Sequence, residues 1–515
     1  MDSSEAYFLA GRSLTAWVIA GSLILTNLST EHLIGLNADA FNHTIAVMAW
    51  ETTAALAMVL AALYFLPKYL SIGLTTIPEF LARRFDNQTR VIATALFLFS
   101  YAIAILPVVL LFGAEGLEAL FQVSASIGIS AAQAKWFMVW GIGVLGSMYA
   151  IFGGLKAVAI SDTINGIGFL IAGLLVPVLA LNMIGDGNIM AGIDTLYTEE
   201  RDKFDITGNE PGSFLPFGVL FTGMIVNQIF FWCTNQSIIQ RALGAKSLKE
   251  AQKGVLIAAS FKILGPVAIV LPGVIAYHMF KDTLGSADYL QAYPTLVRTV
   301  LPTALTGFFA AVMVGAVLST FNSVLNSAAT LFAEGIYKSV FNPSSSGRAQ
   351  VRVGRGVSAL LAVAAMLIAP TIDSSGSLYI YLQQINATFF GPMLAVILCG
   401  LMTRRVNARA AKVGLVVGPV IFYLLNFAFG DAYQSLMMQV FGLTEPLHFL
   451  HTLAVVFVTT LLLLGIFSYG KDTVANPPNL PKAVSKLDLT PWRFAKVAAI
   501  LISTATISCY VLLAQ

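Results

Sequence analysis

The chain has 515 residues, of which 57% are apolar and only 11% charged, and its mean hydropathy is +0.81. An average soluble domain carries about 25% charged residues, so the composition argues against a soluble enzyme, and the length reads as one bundle of membrane spans rather than several globular domains. The net charge of +3 comes from short basic clusters between apolar runs, which leaves no nucleic-acid footprint. Cys233, Cys399 and Cys509 all fall in apolar runs, without zinc spacing or a disulfide framework.

A helix needs about 20 apolar residues to cross a bilayer. Thirteen runs meet that need, at 15–38, 44–66, 91–121, 136–152, 157–184, 214–238, 254–279, 301–337, 354–370, 376–402, 411–430, 450–469 and 492–513. They are too uniformly apolar for barrel strands, so the chain reads as an all-α polytopic membrane protein of about 13 spans. The connections test this count, because basic residues gather in alternate, cytoplasmic loops. Of the 29 basic residues, 23 lie in one alternating set of connections and 5 in the other, while Lys262 lies inside span 7. Residues 1–14 are therefore expected in the cytoplasm and the C-terminus outside. No cleavable signal pattern precedes span 1.

Taken in chain order, span 1 is interrupted by Leu25-Thr26-Asn27-Leu28-Ser29-Thr30-Glu31-His32, and span 6 by Phe231-Trp232-Cys233-Thr234-Asn235-Gln236-Ser237. Hydroxyls and amides at that density can satisfy an unwound backbone. The two interruptions fall in the first span of each of two five-span units, which points to an inverted-repeat transporter with its site at the midplane. The repeats are expected at 15–184 and 214–402 within a core of 15–402, followed by spans 11–13 in 403–515. Prolines 477, 478 and 481 mark a polar linker before the last span.

Ionisable residues inside spans are costly and so are candidate functional groups: Glu31, His32, Glu51, Glu115, Glu118, Asp162, Lys262 and Glu334. Glu118 and Glu334 lie near span ends and can reach headgroup water. In span 8, Ser319, Asn322, Ser323 and Asn326 fall on one helical face, a stripe of oxygen-bearing side chains that suits either a hard cation or close helix packing. Gly141-Ile142-Gly143-Val144-Leu145-Gly146 matches a nucleotide-binding pattern, but it lies inside span 4 with no preceding strand, so helix packing explains it better.

Several motifs, in order, resemble the solute:sodium symporter family. They are Tyr7-Phe8-Leu9-Ala10-Gly11-Arg12-Ser13-Leu14; Thr76-Ile77-Pro78-Glu79-Phe80; Gly153-Gly154-Leu155-Lys156-Ala157-Val158 with Asp162; Asn235-Gln236 with Gln240-Arg241; Ala245-Lys246-Ser247; and Leu325-Asn326-Ser327-Ala328-Ala329-Thr330. The resemblance covers nearly the whole chain and is nearest to the sodium/sugar cotransporters, whose members carry one further span before the first motif. It implies a LeuT-type 5+5 inverted-repeat bundle with extra C-terminal helices, no enzymatic activity, and sodium-coupled uptake of a galactose- or glucose-like monosaccharide across the inner membrane. A carboxylate-bearing solute such as sialic acid, an amino acid, or a transporter-like sensor are the alternatives.

The resemblance also assigns roles. Sodium, the co-transported ion, would be held by carbonyls of Leu25, Leu28 and Ala316 and hydroxyls of Ser319 and Thr320. Sugar would meet His32, Glu51, Gln228, Lys262 and Gln384. The outer gate would be Leu36, Trp50 and Ile380. The inner gate would be Phe231, where sugar transporters usually have Tyr, with Asn27 as its coupling partner. Asp162, Asn322 and Ser323 would serve sodium exit or a second sodium, with one sodium per sugar expected. Ala54 stands where the family has Ser, which leaves the particular sugar open. The partners implied are a small-molecule sugar and membrane lipid.

Overall fold

Polar interruptions within apolar runs decide this architecture. The computed structural model describes residues 3–208, 213–372, 377–469 and 487–513, and every regular element among them is helical. Among the described residues, ten helices are long and apolar enough to cross a membrane. They are Ile45–Ile72 (span 2), Asn87–Phe121 (span 3), Ala150–Ile184 (span 5), Leu248–Phe280 (span 7), Thr303–Phe341 (span 8), Gly347–Thr371 (span 9), Leu378–Met402 (span 10), Ala408–Ala428 (span 11), Phe449–Ser468 (span 12) and Ala495–Leu513 (span 13).

The remaining runs explain themselves. Spans 1 and 6 begin with the short apolar helices Ala16–Asn27 and Gly223–Cys233. Each then breaks and resumes, as Glu31–Leu36 with Asn37–Asn42 in span 1 and as Gln236–Leu243 in span 6. Span 4 is the first part of Ala131–Ile184, a 54-residue helical stretch. Unbroken, it would be about 81 Å long, well over twice the hydrocarbon thickness. It turns at Gly154, whose φ of 62° and ψ of −176° are not helical. A side chain there would also press on Tyr7, since an added Cβ would lie 2.9 Å from its carbonyl oxygen. Tyr7 in turn donates from its hydroxyl to Ile151 O at 2.8 Å.

The N-terminal motif pins the ends of spans 2 and 6 on one side of the bundle. Arg12 donates to Leu243 O, Gly73 O and Leu74 O at 3.1–3.2 Å, occupying carbonyls at the ends of spans 6 and 2. Gln240 of span 6 reaches Phe8 O at 2.7 Å. On the opposite side, Lys203 donates to Phe41 O and His43 O, both at 2.7 Å, capping the end of span 1; burial draws its ammonium down to about 8.

Spans 1, 5 and 8 pack closely at the centre. An added Cβ at Gly21 would lie 2.9 Å from the backbone of Thr163, so the small residue permits the approach of spans 1 and 5. Gly143 and Gly146 of the span 4 glycine pattern lie against Met366 and Phe321. Span 13 is peripheral. It rests on span 2 through Tyr510 and Thr52, whose hydroxyls are 2.7 Å apart, and exposes Ile500, Leu501 and Leu512. The proline-marked linker before it lies outside the described residues.

Candidate functional site

The first polar cluster forms where the break in span 1 meets spans 5 and 8. Helix Ala16–Asn27 makes its last regular bond from Leu28 N–H to Ile24 O at 2.7 Å, and Leu28 then turns to ψ 93°. The carbonyls from Leu25 onward thereby lose their regular partners. That of Thr26 accepts from Thr320 Oγ1 at 3.0 Å. Ser319 Oγ donates to Asp162 Oδ1 at 2.5 Å, and Ser22 Oγ donates to Asp162 Oδ2 at 2.7 Å. A hydroxyl that donates its hydrogen away keeps its lone pairs, so Ser319 and Thr320 retain oxygens for a cation. Ala316 lies one turn before Thr320 and is fully buried.

Asp162 is not left bare. Arg241, itself fully buried, approaches it to 3.9 Å and donates from Nε to Ser22 Oγ at 3.2 Å. Thr26 and Ser323 share a hydroxyl contact of 3.2 Å, which brings Ser323 into the same cluster. Asn322 points elsewhere, beside Gly146 of span 4, with its Oδ1 buried and unpartnered.

A cavity of about 60 Å³, room for a few waters, adjoins this cluster and shares Thr26 and Thr320 with it. Asn27, Glu31 and His32 line it from span 1, and Trp50 and Glu51 from span 2. Asn227, Gln228, Phe231 and Trp232 close it from span 6, and Tyr379, Gln383 and Asn386 from span 10. His32 Nε2 lies 3.5 Å from Glu51 Oε1, and Glu31 accepts from Ser29 Oγ. Gln228 donates to Trp50 O at 2.7 Å and Thr53 Oγ1 at 3.2 Å, tying spans 6 and 2. Tyr379 meets both His32 and Trp50 edge-on, at 5.6 and 5.7 Å.

Three side chains on this wall carry buried polar atoms without a partner: Trp50 Nε1, His32 Nδ1 and Asn227 Oδ1. Unpaired buried groups are uncommon and require an explanation. A bound solute rich in hydroxyls supplies one.

Not every expected residue reaches the cavity. On span 10 the wall is formed by Tyr379 and Gln383, one position before each of Ile380 and Gln384. One residue is 100° of helix, so the expected pair points away from the cavity wall. Leu36 is fully buried in the apolar core and does not line the cavity. Lys262 stands behind the wall: it donates to Asn27 Oδ1 and, at 2.5 Å, to Glu51 Oε2. The other intramembrane carboxylates have structural partners. Glu115 pairs with Lys135 at 2.7 Å, Glu334 with Lys338 at 2.9 Å, and Glu118 caps the backbone at Ser124.

Residues 7–418 match the model of the sodium:solute symporter family. The chain belongs to that family. An uncharacterized symporter of Escherichia coli (strain K12), YidK, is 42% identical over 514 residues, covering 100% of this chain and 86% of the relative. A sodium/glucose cotransporter of Vibrio parahaemolyticus is 32% identical over 445 residues, covering 82% and 80%. Sodium/myo-inositol cotransporter 2 of Mus musculus is 29% identical over 508 residues, covering 92% and 73%. Among solved structures, a substrate-bound outward-open Na+-coupled sialic acid symporter superposes with a TM-score of 0.74 at 20% identity, covering 91% of this chain and 92% of the other. At that identity the likeness is one of fold, and the fold is LeuT-type. The symporter is thus a multi-pass membrane protein coupled to sodium, with a small-molecule solute, and not an enzyme.

Tyr379, Gln383 and Asn386 carry no role in the sequence reading, and Trp232 enters it only as part of the break in span 6. A signal for most of them existed. Tyr379, Leu382, Gln383 and Asn386 recur at i, i+3, i+4 and i+7, a polar and aromatic face in an otherwise apolar span. Arg241 was noted only as part of a motif; its pairing with Asp162 joins spans too far apart in sequence for any local pattern to reveal.

Proposed function

We propose that this symporter takes up a monosaccharide of the galactose or glucose type with sodium, by alternating access. The observation that carries the reading is the cavity wall. It offers a carboxylate, amides and unpartnered donor and acceptor atoms to hydroxyl groups, and the aromatic side chains of Trp50, Tyr379 and Phe231 to a sugar ring. Hydrogen bonds to His32, Glu51, Gln228 and Gln383 bind and orient the solute. An anionic solute would want a free cation, and no arginine lines the wall; Lys262 is committed to Glu51.

Sodium binds at the carbonyls of Leu25, Leu28 and Ala316 and the hydroxyls of Ser319 and Thr320, an oxygen set suited to a hard cation. It bridges spans 1 and 8 and favours the state that accepts solute. Arg241 already supplies a positive charge beside Asp162, which supports one sodium per sugar. Trp50 and Tyr379 close the outer side of the solute and Phe231 the inner side. The protein sits in the inner membrane with residues 1–14 in the cytoplasm and the C-terminus outside. Spans 1–10 form the transport core in this reading, and spans 11–13 flank it.

Counterflow into proteoliposomes tests the assignment, with labelled galactose, glucose, myo-inositol and sialic acid, each with and without sodium. The expected result is sodium-dependent counterflow of a monosaccharide. Exchange of sialic acid alone would overturn it, and exchange of myo-inositol alone would replace the monosaccharide by a cyclic polyol.

A further inference from the structure

Lys262 is 2% exposed and lies behind the cavity wall rather than on it. Its ammonium has three hydrogens and no acceptor capacity. One goes to Asn27 Oδ1 and one to Glu51 Oε2 at 2.5 Å, and the group stands 5.1 Å from the centre of the Trp232 ring. A single cation on span 7 is therefore fastened to spans 1 and 2 and packed against span 6. We propose that Lys262 is a coupling strut. Through it, sodium at the break in span 1 sets the position of Glu51, and hence the affinity for solute.

Both ends of the strut sit where this requires. Asn27 is the last residue of helix Ala16–Asn27. Next to it are Thr26, whose carbonyl is bonded to Thr320, and Leu28, where the backbone leaves the helix. A cation gathering the carbonyls on either side of Asn27 fixes the direction of its side chain. At the other end, Glu51 is held by two groups, Lys262 on Oε2 and His32 at 3.5 Å from Oε1. If Asn27 releases Lys262, the ammonium recentres on the carboxylate and Glu51 shifts relative to the cavity. Sodium and solute then favour one arrangement of the same three residues, which is a reciprocal linkage. Lys262 acts through Glu51 and Asn27, so it is a positioning residue rather than a solute contact.

The inference rests on the reading that Glu51 meets the solute, and the test separates the two. Binding of D-galactose to the purified full-length protein is measured with saturating sodium and with N-methylglucamine instead. In the parent, sodium should tighten binding about tenfold or more, within the usual span of coupling between sites. Asn27→Ala leaves the Lys262–Glu51 pair intact. It should cut the sodium effect to less than about threefold. Lys262→Met should lose the sodium effect and also weaken binding in both conditions, because Glu51 is left unpaired. If Asn27→Ala keeps the full sodium effect, or loses affinity by the same factor with and without sodium, the strut is refuted.

A second measurement needs no sugar. With Cys399 and Cys509 replaced by Ser, a reporter cysteine is placed by Asn227→Cys on the cavity wall. Sodium should change its alkylation rate in the parent and not in the Asn27→Ala variant; an equal change in both overturns the strut. Absence of galactose binding in the parent, with this sodium response intact and lost in Asn27→Ala, would instead fault the sugar assignment and leave the strut standing.

Discussion

The two broken spans differ in what their breaks leave open. At the break in span 6 the backbone is met within the span itself, and the unpartnered group is a side-chain one, Asn235 Nδ2. The amides of Thr234 and Asn235 both donate to Phe230 O at 2.9 Å, and Thr234 Oγ1 donates to the same carbonyl at 2.8 Å. Asn235 then caps the resumed helix, accepting at Oδ1 from the Ser237 amide at 3.0 Å and from the Tyr101 hydroxyl at 2.8 Å. At the break in span 1 the Thr26 carbonyl is met by a hydroxyl from another span, and Thr30 Oγ1 and His32 Nδ1 are buried without a hydrogen-bond partner. Two halves with similar topology thus use the same device for opposite ends. In the proposed reading, span 6 makes a seat and span 1 keeps oxygens available for an ion.

The largest expected effect tests the open break. Ser319→Ala combined with Thr320→Ala removes two oxygens facing the span 1 carbonyls. Interactions with a charged partner contribute about 1.5–3 kcal/mol each, so the sodium concentration for half-maximal uptake should rise by roughly a hundredfold or more, with a smaller loss of thermal stability because Asp162 and Thr26 O each lose a donor. Unchanged sodium dependence of uptake would remove span 8 from the ion site. Glu51→Gln comes next. It keeps the shape of the side chain and loses the charge, so solute affinity should fall about tenfold or more, read as Kd by isothermal titration. Lys262 remains buried in this variant, so a matched loss of melting temperature is the control that separates binding from folding.

The closed break should answer differently. Asn235→Ala removes a helix cap and the acceptor for Tyr101, which costs about 1–2 kcal/mol of stability. Melting temperature should drop while the sodium requirement of uptake stays at the parent value. A shift in sodium requirement of the size seen for the span 8 pair would mean that the two breaks are not distinct in function.

Much of this contrast was legible in the sequence, and the part that was not has a physical reason. Both breaks announced themselves because hydroxyls and amides in mid-span are too costly to be incidental. The charge alternation and the order of the apolar runs carried the fold. What the sequence did not resolve was rotation. Gln383 and Gln384 are chemically identical neighbours, and Tyr379 and Ile380 are both acceptable gate residues, so nothing local chose which of each pair turns toward the cavity. Only packing against spans 1 and 2, through the edge contacts of Tyr379 with His32 and Trp50, fixes the helix. Lys262 enters the solute site only through the family resemblance, and the fold adds that Asn27 and Glu51 accept two of its three hydrogens.

The smallest effect concerns the inner side of the cavity, where the two breaks come nearest in function. Phe231 of span 6 and Asn27 of span 1 both line the cavity. The resemblance to sugar cotransporters implies Tyr at the Phe231 position, so Phe231→Tyr tests whether the seat can bond directly to Asn27 on the span 1 helix. Asn27 Oδ1 already accepts from Lys262, and a new hydroxyl must share it. A neutral hydrogen bond is worth about 0.5–1.5 kcal/mol net, and sharing the acceptor places the effect at the lower end of that range. Phe231→Tyr should therefore slow single-turnover release of solute to the inside by about two- to fourfold. In the Asn27→Ala background the same substitution should have almost no effect. Additive rates across the four members of that cycle would mean that the residues do not touch.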